Sequence, residues 1–101
     1  MIKINGNQSI LGQIFGRKWI VTILCSLKAG EKRFNQLLSE INGVSTKTLS
    51  ECLSELVSMG IVERKSFKEA PPHVEYSLTE KGKELVSSFS IIEDIVSKWN
   101  S

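Results

Sequence analysis

Apolar side chains recur at intervals of three and four residues in several stretches of the chain, a spacing typical of amphipathic helices. The predicted helices cover residues 9–15, 17–28, 34–41, 45–59 and 80–99. Between the last two, residues 61–67 and 74–78 predict two β-strands, because the intervening Pro71 and Pro72 cannot continue a sheet ladder. The pattern therefore predicts a mainly α chain with a small β-hairpin, which is an α+β class.

The third and fourth predicted helices are joined by a tight turn. Gly43 can adopt the left-handed conformation that ends the first of them, and Ser45 is a natural N-cap for the second. The helix over 45–59 has an apolar side formed by Leu49, Cys52, Leu53 and Leu56. Helix, turn, helix and hairpin in this order predict a winged helix-turn-helix, whose second helix enters the major groove of DNA.

The N-terminal part of that second helix would carry the residues that contact base edges. Lysine can bond to guanine acceptors, hydroxyl groups can serve several bases, and glutamate can accept from the cytosine amino group. The predicted readers are Ser45, Thr46, Lys47, Ser50 and Glu51. The alternative is the solvated face of an ordinary surface helix. The capped turn before this helix and the hairpin after it favour DNA binding.

Cations near the tip of the predicted hairpin, residues 64–74, form a second candidate contact. Positive side chains on a projecting loop suit phosphates or the adjacent minor groove. Arg33, at the start of the third predicted helix, is a further candidate for the DNA backbone. The hairpin candidates are Arg64, Lys65, Lys68 and His73. The alternative is that these charges protect an exposed edge strand, as they commonly do in proteins.

The terminal helix carries a broad apolar surface at a spacing of four and three residues, which is typical of a packed helix pair. Residues 85–99 are therefore predicted to form a dimerisation helix that packs with the first helix across a two-fold axis. The predicted interface residues are Ile10, Leu11, Ile14, Leu85, Phe89, Ile92, Val96 and Trp99. Such a homodimer would bind a pseudo-palindrome in double-stranded DNA. The alternative is a core within one chain.

Length and composition limit the other possibilities. A chain of 101 residues with 41% hydrophobic and 24% charged residues predicts one globular domain over 1–101. We expect a cytoplasmic protein without membrane contact, because no apolar run reaches the ~20 residues of a membrane span and the N-terminus has no signal-peptide pattern. Cys25, Cys52 and His73 form no metal motif. With no phosphate loop and no nucleophile–histidine arrangement, neither a cofactor nor enzymatic activity is expected.

The chain resembles the HxlR-type winged-helix regulators over most of its length. The matching residues are Gly16 to Trp19, Gly30, Arg33 to Leu37, Gly43 to Ser45, Leu49, Leu53, Leu56, Gly60 to Arg64, Pro72 to Thr79, Gly82 and Leu85. The resemblance implies a dimeric bacterial or archaeal transcription factor related in architecture to the MarR group.

One departure from that family concerns cysteine. Many members carry a cysteine just before the first helix, and some use it to sense oxidants or aldehydes, but residues 1–15 contain none. Cys25, on the edge of its helix near Lys18, is the remaining candidate sensor, because a nearby cation can lower a thiol pKa. Cys52 projects onto the apolar side of its helix and is expected to be a small buried hydrophobe.

Two function classes follow from these patterns. The first is a sequence-specific, homodimeric transcriptional regulator. The alternative is a winged-helix module that docks another protein through its apolar C-terminal helix. A small-molecule effector stays open, because no polar cluster in the sequence marks a pocket for one.

Overall fold

The computed structural model describes residue 14 and residues 17–99. This part of the chain contains helices and strands in the predicted order, with one additional strand. In chain order they are α1 (Ile20–Leu27), β1 (Lys32–Arg33), α2 (Phe34–Glu40), α3 (Thr46–Ser58), β2 (Val62–Phe67), β3 (His73–Leu78) and α4 (Glu80–Trp99). The α+β winged-helix prediction is confirmed. The predicted helix over 9–15 lies outside the described residues, apart from Ile14.

The hairpin is part of a three-stranded antiparallel sheet with the order β1-β3-β2. Strands β2 and β3 pair from Val62 opposite Leu78 to Phe67 opposite His73. Strand β1 pairs Lys32 with Tyr76 on the other edge of β3. It has only two residues, too few to show a period, so its pairing partner alone defines it. This strand is therefore not predictable from the hydrophobic pattern.

Helix α1 is shorter than predicted, since it begins at Ile20 rather than at Arg17. Trp19 is its N-cap residue and offers no side-chain hydrogen bond to the first turn. The apolar stripe continues through Trp19 because its ring packs against the core. A hydrophobic pattern reports which side chains are buried, and helix ends depend on capping as well.

The core is formed by apolar side chains from the helices and from the strand ends. Ile20, Ile23 and Leu24 of α1 are fully buried. Helix α3 buries the four residues that its pattern predicted, Leu49, Cys52, Leu53 and Leu56. Burial stabilises each such aliphatic side chain by roughly 1.5–3 kcal/mol relative to exposure. Because the apolar side of α3 is fixed in the core, the polar side of the helix faces the solvent.

The start of α4 is fastened to the turn that follows α3. The Thr79 hydroxyl donates to the Gly60 carbonyl at 2.6 Å and accepts from the backbone N–H of Gly82 at 3.1 Å. The backbone N–H of Thr79 donates to the Ile61 carbonyl at 3.0 Å. Thr79 thus caps α4, as predicted. Its hydrogen bonds also link α4 to Gly60 and Ile61, the residues that lead into β2. At Gly82 the helix lies directly against the Ile61 backbone.

Two of the predicted interface residues are buried within the single chain. Ile14 is 1% exposed and Phe89 is 7% exposed, so both side chains already pack within their own chain. Leu85 is partly buried against the same core. Phe89 lies beside α1, since it lines a small pocket together with Val21 and Cys25. Ile10 and Leu11 lie outside the described residues.

The outer part of α4 remains apolar and exposed. Its exposed large hydrophobic residues are Ile91, Ile92, Ile95, Val96 and Trp99. Despite this, no described helix is long and apolar enough to cross a membrane.

Candidate nucleic-acid interface

The turn between α2 and α3 has the predicted chemistry. Gly43 has a φ of +91°, a left-handed conformation that favours glycine, and Val44 is buried beneath the turn. The Ser45 hydroxyl accepts from the backbone N–H of Thr48 at 3.1 Å and lies 3.0 Å from the Thr48 hydroxyl. This N-cap fixes the direction in which α3 leaves the turn.

The predicted base-contacting side of α3 is exposed. Thr46, Lys47, Ser50 and Glu51 all lie on the surface, along the first two turns of the helix. Ser45 is also exposed, but its hydroxyl is engaged in the cap. This side chain therefore positions the helix, and its contact with DNA stays a prediction. The other four residues form one continuous polar surface, which a large ligand such as a DNA duplex can reach.

The opposite flank of α3 is neutralised by an ion pair. Arg17 Nη1 lies 2.9 Å from Glu55 Oε2, so this carboxylate is balanced within the protein. Beneath the pair, burial raises the pKa of the Cys52 thiol, although the nearby Arg17 acts in the other direction. Cys52 is thus the buried thiol that the sequence predicted, and the acidic character of α3 is weaker than its sequence suggests.

The start of α2 is also held in place. Gln36 Oε1 accepts from the backbone N–H of Arg33 at 2.9 Å, and the Arg33 side chain is exposed beside it. At the other end, Glu40 Oε2 accepts from the Ser26 hydroxyl at 2.8 Å and pairs with the Lys32 ammonium. The bonds from Lys32 and then from Ser26 hold the pKa of the Glu40 carboxyl below its usual range. The first motif helix is thereby tied to α1 and β1.

The cations of the hairpin fall into two groups. Arg64, Lys65 and Lys68 are exposed, and Lys65 has Glu63 as a neighbour at 3.5 Å. His73 is partly buried: its ring stacks on Phe67 with centroids 4.7 Å apart, and Nε2 lies 3.0 Å from Glu75 Oε2. These contacts hold the His73 ring within the hairpin, and its contact with DNA stays a prediction.

A groove of about 340 Å³ runs between α3 and the sheet. It is lined by Ser50, Ser54, Val57, Arg64 and Tyr76. Only Ser50 and Arg64 were among the predicted contacts. Tyr76 was missed because an aromatic residue in a strand usually indicates a core position. The strand register could have found it, since it pairs Tyr76 with Arg64.

The candidate sensor Cys25 is exposed on α1. It lines a small apolar pocket of about 110 Å³ together with Val21, Phe89, Ile92 and Glu93. The Lys18 ammonium lies over the Trp19 ring, 4.9 Å from its centroid. A sensor role for Cys25 stays a prediction. Within residues 14 and 17–99, no three His, Cys, Asp or Glu side chains are grouped so that they could hold a metal ion.

The capped helix pair, the exposed polar side of α3 and the basic hairpin together define a winged helix-turn-helix. The chain belongs to the HxlR-like helix-turn-helix family, whose model matches residues 14–101.

Known proteins of this class resemble the chain throughout. An HTH-type transcriptional regulator of Methanothermobacter thermautotrophicus is 39% identical over 84 residues, which is 83% of this chain and 61% of that relative. The structure of the reduced transcriptional regulator YodB from B. subtilis has 34% identity and a TM-score of 0.79, covering 91% of this chain and 90% of that one. A protein assigned to the MarR family from Enterococcus faecalis V583 has 31% identity and a TM-score of 0.84, covering 99% and 93%.

Proposed function

We propose that this chain is a sequence-specific transcriptional regulator that binds double-stranded DNA. The observation that carries the proposal is the exposed polar start of α3, held by the Ser45 cap beside a basic hairpin. In this class of fold the second motif helix enters the major groove and its first turns contact base edges. Thr46, Lys47, Ser50 and Glu51 are the proposed readers. Access to DNA would require a cytoplasmic location, and no catalytic activity forms part of the proposal.

Contacts to the DNA backbone would come from exposed cations around the readers. Arg33, Arg64, Lys65 and Lys68 are the proposed residues, and all are exposed. The net charge of only +2 is compatible with this role, because the local arrangement of charges sets the field that DNA meets. The Arg17–Glu55 pair supports it further by removing one uncompensated carboxylate from α3.

Selection from random duplex DNA is the direct test of the proposal. The wild-type protein should enrich one motif, and a labelled duplex carrying that motif should be bound far more tightly than a scrambled duplex at the same salt concentration. Equal affinity for both duplexes, or no binding at low salt, would overturn the proposal.

Replacing Lys47 with alanine should relax sequence preference. The lost contact to a base edge is expected to cost roughly 1–3 kcal/mol at one position of the operator. Lys65→Ala is the matched comparison, because a lost phosphate contact should weaken binding to all sequences and lower the salt slope by about one. Fluorescence anisotropy with single-base operator variants separates the two patterns. A uniform loss for Lys47→Ala would assign Lys47 to the backbone instead.

A homodimer is the second part of the proposal. It is supported by the exposed apolar strip on the outer half of α4, where Ile91 is 61% and Trp99 is 74% exposed. Strips of this kind usually mark an interaction surface. A second copy packing α4 against this strip would cover it with an identical strip, as a two-fold axis requires. Two recognition helices would then contact half-sites about 34 Å apart, one turn of DNA.

Replacing Ile95 with glutamate should therefore convert a dimer into a monomer, because the interface would have to bury an unpaired charge. Light scattering coupled to size-exclusion chromatography measures the mass directly. Ser90→Glu is the matched control, since it adds the same charge at an exposed polar position of the same helix. A wild-type protein that is monomeric at tens of micromolar would contradict the homodimer.

A protein-interaction module is the second candidate function. The same exposed strip on α4 favours it, because a different protein could cover those side chains. A monomeric wild-type chain that enriches no DNA motif would support this candidate. A stable dimer with a selected motif would exclude it.

A further inference from the structure

We propose that the groove between α3 and the sheet is a binding site for one phosphate of the DNA backbone, with Arg64, Tyr76 and Ser54 as its contacts. This site rests on the proposed DNA-binding function and adds two residues, Tyr76 and Ser54, to those that touch DNA. The proposal also gives Arg64 a place different from that of the other hairpin cations. The Arg64 guanidinium would bind phosphate beside α3, and not at the tip of the hairpin.

The lining of the groove has the chemistry of a phosphate site. Arg64 supplies a guanidinium, Tyr76 a phenol, and Ser50 and Ser54 two hydroxyl groups. These are the donor groups that most often contact phosphate oxygens in protein–DNA complexes. Ser50 and Ser54 are one helical turn apart, about 6 Å along the axis, so their hydroxyls can follow a strand past the helix. Among the lining residues none is acidic.

Neighbouring carboxylates do not line the groove. On α3, Glu51 lies roughly 100° around the helix from Ser50 and 60° from Ser54, and Glu55 is neutralised by Arg17. On the sheet, side chains alternate between faces, so Glu63 and Glu75 lie on the face opposite to Arg64 and Tyr76. The groove therefore keeps the positive potential of Arg64.

The Arg64 side chain is partly ordered before any ligand arrives. Its Nη1 donates to the Ser66 hydroxyl at 3.3 Å, two residues further along β2. Tyr76 lies directly opposite Arg64 on β3, and cross-strand partners on one face are close neighbours. A guanidinium and a phenol held side by side on a sheet lose less side-chain entropy on binding than free surface residues do.

The dimensions of DNA bring a phosphate to this position. The major groove is about 12 Å wide, and a helix with its side chains is about 10–12 Å across. A helix inserted there must therefore have a sugar–phosphate strand along each flank. The groove beside Ser50 and Ser54 is the flank of α3 that faces the sheet. The strand on that side would pass between α3 and Arg64.

Anisotropy measurements with the full chain and its selected duplex test this site. Tyr76→Phe removes one hydroxyl and should weaken binding roughly tenfold on every sequence, with an unchanged salt slope. Arg64→Gln should weaken binding at least as much and lower the salt slope by about one. Lys83→Ala, a cation on α4 that pairs with Glu80, is the control and should bind like the wild type. Thermal melting verifies that each variant is folded.

Neutral backbone linkages identify the phosphate itself without relying on the variants alone. Replacing single phosphates by methylphosphonates should reveal one position per half-site whose neutralisation weakens wild-type binding but has no further effect on Arg64→Gln. Unchanged binding by both variants, an altered base preference for Arg64→Gln, or the absence of any such position would overturn the site. A wild-type protein that selects no motif would instead remove the DNA-binding function on which it rests.

Discussion

Replacing Gly82 with alanine is expected to destabilise the fold by about 2–4 kcal/mol, against the trend for helices. In an isolated helix the same change is stabilising, because glycine is about 1 kcal/mol less favourable than alanine. Here a Cβ atom at position 82 would lie 2.2 Å from the backbone oxygen of Ile61, which is far inside van der Waals contact. The first turn of α4 would have to move away from the strand entry.

That movement would disturb the hydrogen bonds around Thr79, because the Ile61 carbonyl accepts from the Thr79 backbone N–H. The free energy of unfolding is measured by urea titration at one protein concentration, since a dimer would make stability depend on concentration. Ser87→Ala is the matched control on the exposed side of α4 and should be neutral within about 0.5 kcal/mol. A Gly82→Ala protein more stable than the wild type would contradict the close contact.

Replacing Leu53 with alanine should cost about 3 kcal/mol of unfolding free energy, within the usual range of 2–5 kcal/mol for a buried leucine. Leu53 is fully buried on the apolar side of α3, in the middle of the core. Truncation removes buried methyl groups and leaves a cavity whose walls close only in part. For a domain with a total stability of roughly 5–15 kcal/mol, this is a large fraction.

The neighbouring Ser54→Ala is the matched control for Leu53→Ala. Ser54 lies on the exposed side of α3, so its replacement should leave the denaturation midpoint almost unchanged. Its expected effect is on DNA, where the proposed phosphate site loses one hydroxyl. Two adjacent residues would thus separate the folding side of α3 from its binding side. Similar stability losses for both variants would contradict this assignment of faces.

Helix α3 illustrates how far the sequence alone leads. The spacing of Leu49, Cys52 and Leu56 predicted its buried side, and Ser45 predicted its start. Both predictions are confirmed because periodicity and capping are local properties, set by residues within a few positions of each other. The exposed readers followed from the same projection. Their contact with DNA remains a prediction for the experiments above.

The predicted interface on α4 shows where local reasoning stops. The apolar pattern did not distinguish Phe89, which packs in the core of its own chain, from Trp99, which is exposed. Both lie on one stripe, and only the position of α1 decides where the chain's own core ends. A periodic pattern reports that a side chain is suited to burial, and it does not report which surface covers it.

The sequence by itself determined the order of helices and strands, the capped turn and the polar side of α3, because each depends on short-range spacing and turn chemistry. Only the tertiary structure decided the pairing of β1 with β3, the close approach of Gly82 to Ile61, and the groove that joins Ser54 with Tyr76. In each of these, residues distant along the chain meet through the packing of whole elements. No local pattern specifies such a meeting, since its geometry is a property of the assembled core.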